Sequence, residues 1–398
     1  MSDYERALAL LPELSELRRE LHRNPEVGLK LPRTTALVMQ RLRSLGYEPQ
    51  EICESGIVAT VGSGAPVILL RADMDALPIC EQTGLPFASE NGAMHACGHD
   101  LHTTMLLGAA KLLKERETQL CGTVKLMFQP GEEIFKGAGA MLRAGVLEDP
   151  HVDAAFGLHV GADGPVGMVC YNDETALMAS CDGFRITISG RASHGSTPQM
   201  GIDPINVGAH LHLALQSLIA REVGPDGRCV LTVGQFHAGS AANILPDSAV
   251  LEGTIRTVDE AARGHLVRRM REVAQGCAAL FGAEAEVEML SEVPPLICEK
   301  GLTADILRFI GELPVPGVTL AGGERTSGSE DFALVTDEVP GCYLFLPAGQ
   351  ADESGKRYPS HNSHVRFDEN VLPFGAAILA HCARRWLEDH GKTTAANR

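Results

Sequence analysis

The chain has 398 residues, 44% hydrophobic and 21% charged, the balance of a soluble globular protein; at this length two domains are the default. A formal net charge of −17 argues against nucleic acid or an anionic membrane as partner, yet leaves a small anionic substrate open, because bound metal makes a site locally positive. No stretch approaches ~20 apolar residues, so no membrane-crossing helix is expected.

The N-terminal stretch MSDYERALALLPELSELRRELHRNPE is charged and amphipathic, without the apolar core of a signal peptide. Leu10, Leu14, Leu17 and Leu21 recur at helical spacing and predict a helix over 5–23. A second helix is predicted over 33–45, stopped by Gly46. The run Val67-Ile68-Leu69-Leu70 reads as a buried strand with Asp73 and Asp75 just beyond its C-terminal end. Then comes His95-Ala96-Cys97-Gly98-His99-Asp100-Leu101-His102, which packs a thiol, three imidazoles and a carboxylate into eight residues. A helix over 102–116 follows. Val124 to Phe128 is a buried strand ending in Gln129-Pro130-Gly131-Glu132-Glu133, and Ala154 to Leu158 another, ending in His159. Three apolar strands thus finish in metal-competent residues, and in open α/β sheets the site lies beyond the carboxyl ends of the strands. The expected fold is α/β, a mixed, mostly parallel sheet flanked by helices.

From about residue 182 the texture changes. Phe184 to Ile188, Cys229 to Phe236 and Val250 to Arg256 alternate with period two, helical stretches fall near 203–221 and 260–281, and a strand is predicted over 284–290. This β-α-β-β-α-β order is that of a ferredoxin-like α+β domain. It is read as an insertion over 182–295 in a discontinuous catalytic domain of residues 1–181 and 296–398. That domain closes with a long helix near 371–388, and the tail from Lys392 is expected to be disordered. Eleven cysteines, an odd number with no framework spacing and no CxxC pair, read as mostly reduced thiols in a cytoplasm.

Sulfur, nitrogen and carboxylate donors suit zinc and its first-row neighbours. Cys97 and His99, two residues apart in a glycine-containing loop, suit one ion or a thiolate shared between two. The adjacent Glu132 and Glu133 diverge, so one can bind metal while the other acts as general base; the residue chemistry does not say which. His159 and His361 are further candidate ligands. Either Asp73 or Asp75 is placed to orient a ligating histidine through its free ring nitrogen. Asp100 reads as a positioning or capping group, and His102 as a ligand or a packing residue of the following helix. No phosphate-binding glycine motif is present.

Arg71–Ile79 (RADMDALPI), His95–His102 (HACGHDLH), Phe128–Glu133 (FQPGEE), Gly157–His159 (GLH), His194–Pro198 with Gly201–Ile205, Ala242–Pro246 (ANILP), Gly253–Arg256 (GTIR) and Gly328–Phe332 together resemble the M20 metallopeptidase family. The branch they resemble is that of N-acyl-amino-acid amidohydrolases, with the hippurate and auxin-conjugate hydrolases. One departure is Gly131, where relatives commonly carry alanine. The resemblance implies a cytoplasmic hydrolase with two divalent ions, Zn²⁺ or Mn²⁺ with Co²⁺ or Ni²⁺ as further options, held by Cys97, His99, Glu133, His159 and His361. It implies Glu132 as general base, Asp75 as the aspartate behind a ligand, and His194 as a lid residue polarising the scissile carbonyl, often from the partner subunit. Asn243 falls on a lid residue near the substrate, and relatives form homodimers through the lid. The expected activity is hydrolysis of an N-acyl amino acid or related small amide. A dipeptidase or aminopeptidase of the same fold, and a deaminase or deacylase of an aromatic amine or amide, stand as alternatives. A non-catalytic scaffold is disfavoured because the base and all five ligands are present.

Overall fold

The amphipathic N-terminus folds as two helices rather than one, α1 (Asp3–Ala9) and α2 (Leu11–Arg23). The single helix expected over 5–23 breaks at Leu10 because Pro12 occupies the first turn of α2. There its missing N–H costs nothing, whereas in a continuous helix its ring would meet the carbonyl of Leu8. Ser2 and Glu5 cap α1 reciprocally, and α2 buries Leu14, Leu17 and Leu21.

The computed structural model describes residues 1–224 and 227–396, with side chains up to residue 391. They form two units: Met1–Leu177, Ile297–Glu324 and Leu334–Arg398 in the first, Met178–Leu296 and Arg325–Ala333 in the second. In chain order the first unit continues with α3 (Pro32–Ser44), β1 (Gln50–Cys53), β2 (Gly56–Gly62), β3 (Val67–Asp73), α4 (His99–Lys114), β4 (Thr123–Gln129), α5 (Gly137–Arg143), β5 (Ala154–Gly161) and β6 (Met168–Tyr171). The second holds β7 (Cys181–Ser189), β8 (Ser193–His194), α6 (Pro204–Glu222), β9 (Cys229–Ala238), β10 (Ile244–Leu245), β11 (Ser248–Thr257), α7 (Glu260–Leu280) and β12 (Glu284–Val293). After it come α8 (Lys300–Glu312), β13 (Thr319–Gly322), α9 (Ala333–Glu338), β14 (Gly341–Pro347) and α10 (Val371–Ala396).

The first unit is the mixed α/β architecture expected. Its eight-stranded sheet runs β1-β2-β4-β3-β5-β14-β6-β13. The centre from β4 through β3 and β5 to β14 is parallel, with antiparallel pairs towards β1 and between β14 and β6. Every residue of β3 and β4 is buried, in keeping with the apolar runs Val67–Leu70 and Leu126–Phe128 within them. α10 runs to Ala396, beyond the expected 388; side chains in the tail from Lys392, expected to be disordered, lie outside the described residues. Among the described residues no helix is long and apolar enough to cross a membrane.

α1 and α10 are stapled at buried Asp3, which lies 2.9 Å from His381 Nδ1, 3.0 Å from Arg384 and 3.2 Å from Arg116. Burial alone would raise this carboxyl, but the His381 and Arg384 hydrogen bonds prevail and lower it from 3.8 to about 2. A depressed carboxyl stabilises the fold above its unfolded value, and that contribution is lost as pH falls towards 2. Asp3→Asn is therefore expected to lower stability by on the order of 1–2 kcal/mol at pH 7. Thermal melts should show the gap closing between pH 4 and 2; a gap that persists at pH 2 would reject the electrostatic origin.

In the second unit a four-stranded antiparallel sheet, β12-β7-β11-β9, carries α6 and α7. Phe184, Ile186 and Ile188 pack with Leu211, Leu215 and Leu218 of α6 and with Leu266, Met270 and Ala274 of α7. This is the ferredoxin-like order. Two features differ from expectation. Residues 178–181, 296 and 325–333, expected in the first domain, belong to this unit: Ala179 donates to Gly328 O (2.9 Å) and Arg256 Nη1 to Ser329 Oγ (2.7 Å). β8 and β10 form a separate two-stranded ribbon pairing His194 with Ile244, too short for periodicity to reveal.

Candidate metal centre

The chemistry-bearing side chains of the first unit gather at the carboxyl ends of β3, β4 and β5. Asp75, two residues past β3, accepts the backbone N–H groups of Glu132 (3.1 Å) and Glu133 (3.2 Å), and its Oδ1 lies 3.3 Å from His99 Nδ1. One carboxylate thus ties the loop after β4 to the first turn of α4. Two glycines make the loops possible. Gly98 has φ +97°, and a Cβ there would sit 2.4 Å from Val160 Cγ2. Gly131 has φ +65°, and a Cβ would fall 2.6 Å from Leu29 Cδ2. Glycine in place of alanine at 131 is therefore more than a change of size: the backbone lies where L side chains are strained. His361 also has positive φ (+64°), held by its N–H donating to Ala96 O at 2.9 Å. Strain of this kind, fixed by surrounding contacts, is typical of functional positions.

Around this frame Cys97, His99, Glu133, His159 and His361 converge. Cys97 Sγ lies 3.5 Å from His159 Nε2 and 3.4 Å from His361 Nε2. Glu133 Oε1 lies 3.8 Å from His99 Nε2 and 3.5 Å from His361 Nε2. Glu132 Oε2 is 3.9 Å from His99 Nε2. Two groups with ligand-competent atoms within 4.8 Å share the thiol: Cys97–His99–His159 and Cys97–Glu133–His361.

The electrostatics favour a bound cation. Among the described residues, buried His99 Nε2 and Glu133 Oε1 have no hydrogen-bond partner, though such atoms are normally satisfied. Burial pushes the Cys97 thiol and the Glu133 carboxyl up; against burial, Asp73 and Asp75 hold the His99 imidazole well above its usual range. Soft, borderline and hard donors converging with unpartnered atoms fit divalent transition ions, which would compensate the buried carboxylates.

Residues 69–385 match Peptidase family M20/M25/M40. The chain belongs to this family. It is 36% identical over 375 residues to N-acetylcysteine deacetylase of Bacillus subtilis, covering 93% of this chain and 96% of that protein. It is 38% identical to IAA-amino acid hydrolase ILR1-like 5 of Arabidopsis thaliana, covering 94% and 86%. Among solved structures it resembles the YXEP protein of Bacillus subtilis, described as a dinuclear metal-binding peptidase of the M20 family. That match has a TM-score of 0.80 and 35% identity, and covers 96% of this chain and 99% of that one. This M20 chain is accordingly a metal-dependent amide hydrolase.

The other residues singled out in the sequence land elsewhere in the M20 fold. Asp100 is not a ligand: it is buried against Arg18 (2.8 Å) and His22 Nδ1 (2.7 Å). His95 is buried with both ring nitrogens unpartnered and joins no cluster of ligand atoms among the described residues. Burial depresses it to about 3. His194 and Asn243 belong to the second unit, on neighbouring sides of the β8–β10 ribbon, where Gly195 N–H donates to Asn243 O (2.8 Å). The Ser196 N–H donates to His194 Nδ1 at 3.1 Å, so the ring's proton in the neutral form is on Nε2. Periodicity gives no sign of Arg18, His22 or Glu81, polar residues of a buried network that packs behind the ligand loop.

Proposed function

We propose that the chain hydrolyses the amide bond of an N-acyl amino acid at a centre where Cys97, His99, His159, Glu133 and His361 would hold two divalent ions. The observation that carries this is the pair of three-residue groups meeting at one thiol, with orphaned buried donor atoms on His99 and Glu133. The names of the relatives, a deacetylase of N-acetylcysteine and a hydrolase of IAA-amino acids, support the substrate class. Such ions, when bound, polarise a carbonyl and lower the pKa of water.

The remaining chemistry belongs to side chains. Glu132 stands beside the ligands, and Glu133 is the carboxylate that reaches both His99 and His361. Glu132 takes a proton from the attacking water and returns it to the leaving nitrogen. Asp75 orients His99. His194, with its Nε2–H free to donate, stabilises the developing oxyanion, and Asn243 contacts substrate. We further read the molecule as a cytoplasmic homodimer formed through the second unit, consistent with eleven free cysteines and the exposed Val230 and Phe236 on edge strand β9.

A release-of-amine screen of N-acyl amino acids, dipeptides and aromatic amides on protein reconstituted with Zn²⁺ or Mn²⁺ tests the substrate class. N-acyl amino acids should be cleaved fastest; turnover confined to substrates with a free α-amine would replace this reading with a dipeptidase. Metal analysis should approach two ions per chain, and full activity at a stoichiometry never above one would reject the pair. Cys97→Ser should lose more affinity for Zn²⁺ than for Mn²⁺, because it removes the soft donor. Equal losses would place the thiol outside the ligand set.

A further inference from the structure

With His95, His102 is one of two imidazoles of the ligand-rich run that the proposed metal centre does not absorb. It sits in the first turn of α4, 2% exposed. Its ring stacks on His99 (centroids 5.4 Å, 29°) and meets His159 edge-on (4.6 Å, 64°). It is a third histidine wedged between two candidate ligands.

Both of its nitrogens are engaged. Nδ1 lies 2.6 Å from Asp73 Oδ1, and Nε2 accepts the Val160 backbone N–H at 2.8 Å. An amide N–H only donates, so Nε2 carries no proton and the proton lies on Nδ1, facing the carboxylate. No ring lone pair remains for an ion. Asp73 is fixed in turn by Arg71 Nη1 (2.7 Å), whose guanidinium also donates to Gln129 Oε1 (3.0 Å) and Tyr343 OH (3.1 Å).

The sheet explains why Val160 needs this partner. On one side β5 pairs with β14 as far as Gly161, but on the other its ladder with β3 ends at Gly157. The Val160 amide therefore projects past the last paired residue of β3, and His102 takes the place of a strand. The Val160 carbonyl accepts His159 Nδ1–H at 2.7 Å, which turns His159 Nε2 towards Cys97.

We propose that His102 is a positioning residue, a neutral Nδ1–H imidazole that holds the end of β5 and thereby aims His159, while its face supports His99. This rests on the metal-centre reading above. The test compares wild type with His102→Leu, His102→Gln and His102→Asn. Leu removes both hydrogen bonds, Gln keeps an acceptor that reaches the Val160 N–H, and Asn keeps only a donor towards Asp73. Co²⁺ affinity is measured by chelator competition, with the visible spectrum of the bound Co²⁺ as a second readout and circular dichroism of the apo proteins as the folding control.

Loss of such a supporting partner weakens metal binding by about 10–100-fold. That loss, with an altered Co²⁺ spectrum, is expected in Leu and Asn, and Gln should recover most of it. If Leu does not fold, the contrast between Gln and Asn decides alone. Variants equal to wild type, or Gln as weak as Asn, would overturn the proposal. A wild type that itself fails to bind two Co²⁺ ions would instead overturn the metal-centre reading, and the proposal with it.

Discussion

Glu132→Gln is expected to keep its metal ions and to lose roughly 10²–10⁴ in kcat, the scale of a positioned general base. The amide preserves size and the loop geometry, because the bond from the Glu132 N–H to Asp75 is made by the backbone. What disappears is the proton acceptor beside the ligands. Glu133→Gln should behave differently. Its carboxylate lies within 3.8 Å of His99 Nε2 and 3.5 Å of His361 Nε2, so the neutral amide should bind at least one ion more weakly, and part of the lost activity should return at high metal concentration. Metal content after gel filtration, measured beside kcat, separates the two. Near-normal turnover in Glu132→Gln would reject it as the base. Loss of metal from Glu132→Gln with retention by Glu133→Gln would exchange their roles.

The candidate ligand loops were legible in the sequence because the residues that define them are contiguous: a buried, mostly apolar strand, then a short polar motif at its end. The ferredoxin-like unit was legible for a related reason, since period-two strands and helical stretches alternate over long enough spans. What escaped depends on distant partners. Arg18 and His22 look like the polar face of an amphipathic helix, yet both are buried by Asp100, far away in sequence. Adjacent glutamates cannot be told apart by chemistry alone, and both lie near His99 Nε2, Glu132 at 3.9 Å and Glu133 at 3.8 Å; the 3.5 Å approach to His361 belongs to Glu133. Nor does His102 announce that its two nitrogens are taken, because one partner is a carboxylate at the end of β3 and the other a backbone amide at the end of β5. Residues 325–333 joined the second unit through hydrogen bonds to Ala179 and Arg256 that no local pattern encodes.

His194→Ala is expected to lower kcat by about 10²–10³, the usual cost of one oxyanion donor, while leaving metal content unchanged. The side chain is prepared for donation: the Ser196 N–H occupies Nδ1, so the Nε2–H is available. Whether it serves its own chain or a partner is decided by complementation. His194→Ala and Glu132→Gln chains are mixed under conditions that permit subunit exchange. If His194 acts across a dimer, each heterodimer holds one site with both residues intact and one with neither, and activity partly returns. If it acts within its own chain, every site remains defective. Recovery should track the fraction of heterodimer, which differently tagged chains make measurable. Proven heterodimers without recovery would defeat the action across subunits, and a fully active monomer in sedimentation at assay concentration would defeat the dimer as well. Ser196→Ala adds a finer check. The backbone N–H that fixes the tautomer survives that substitution, so the loss should be far smaller than for His194→Ala, and an equal loss would point to the serine hydroxyl instead.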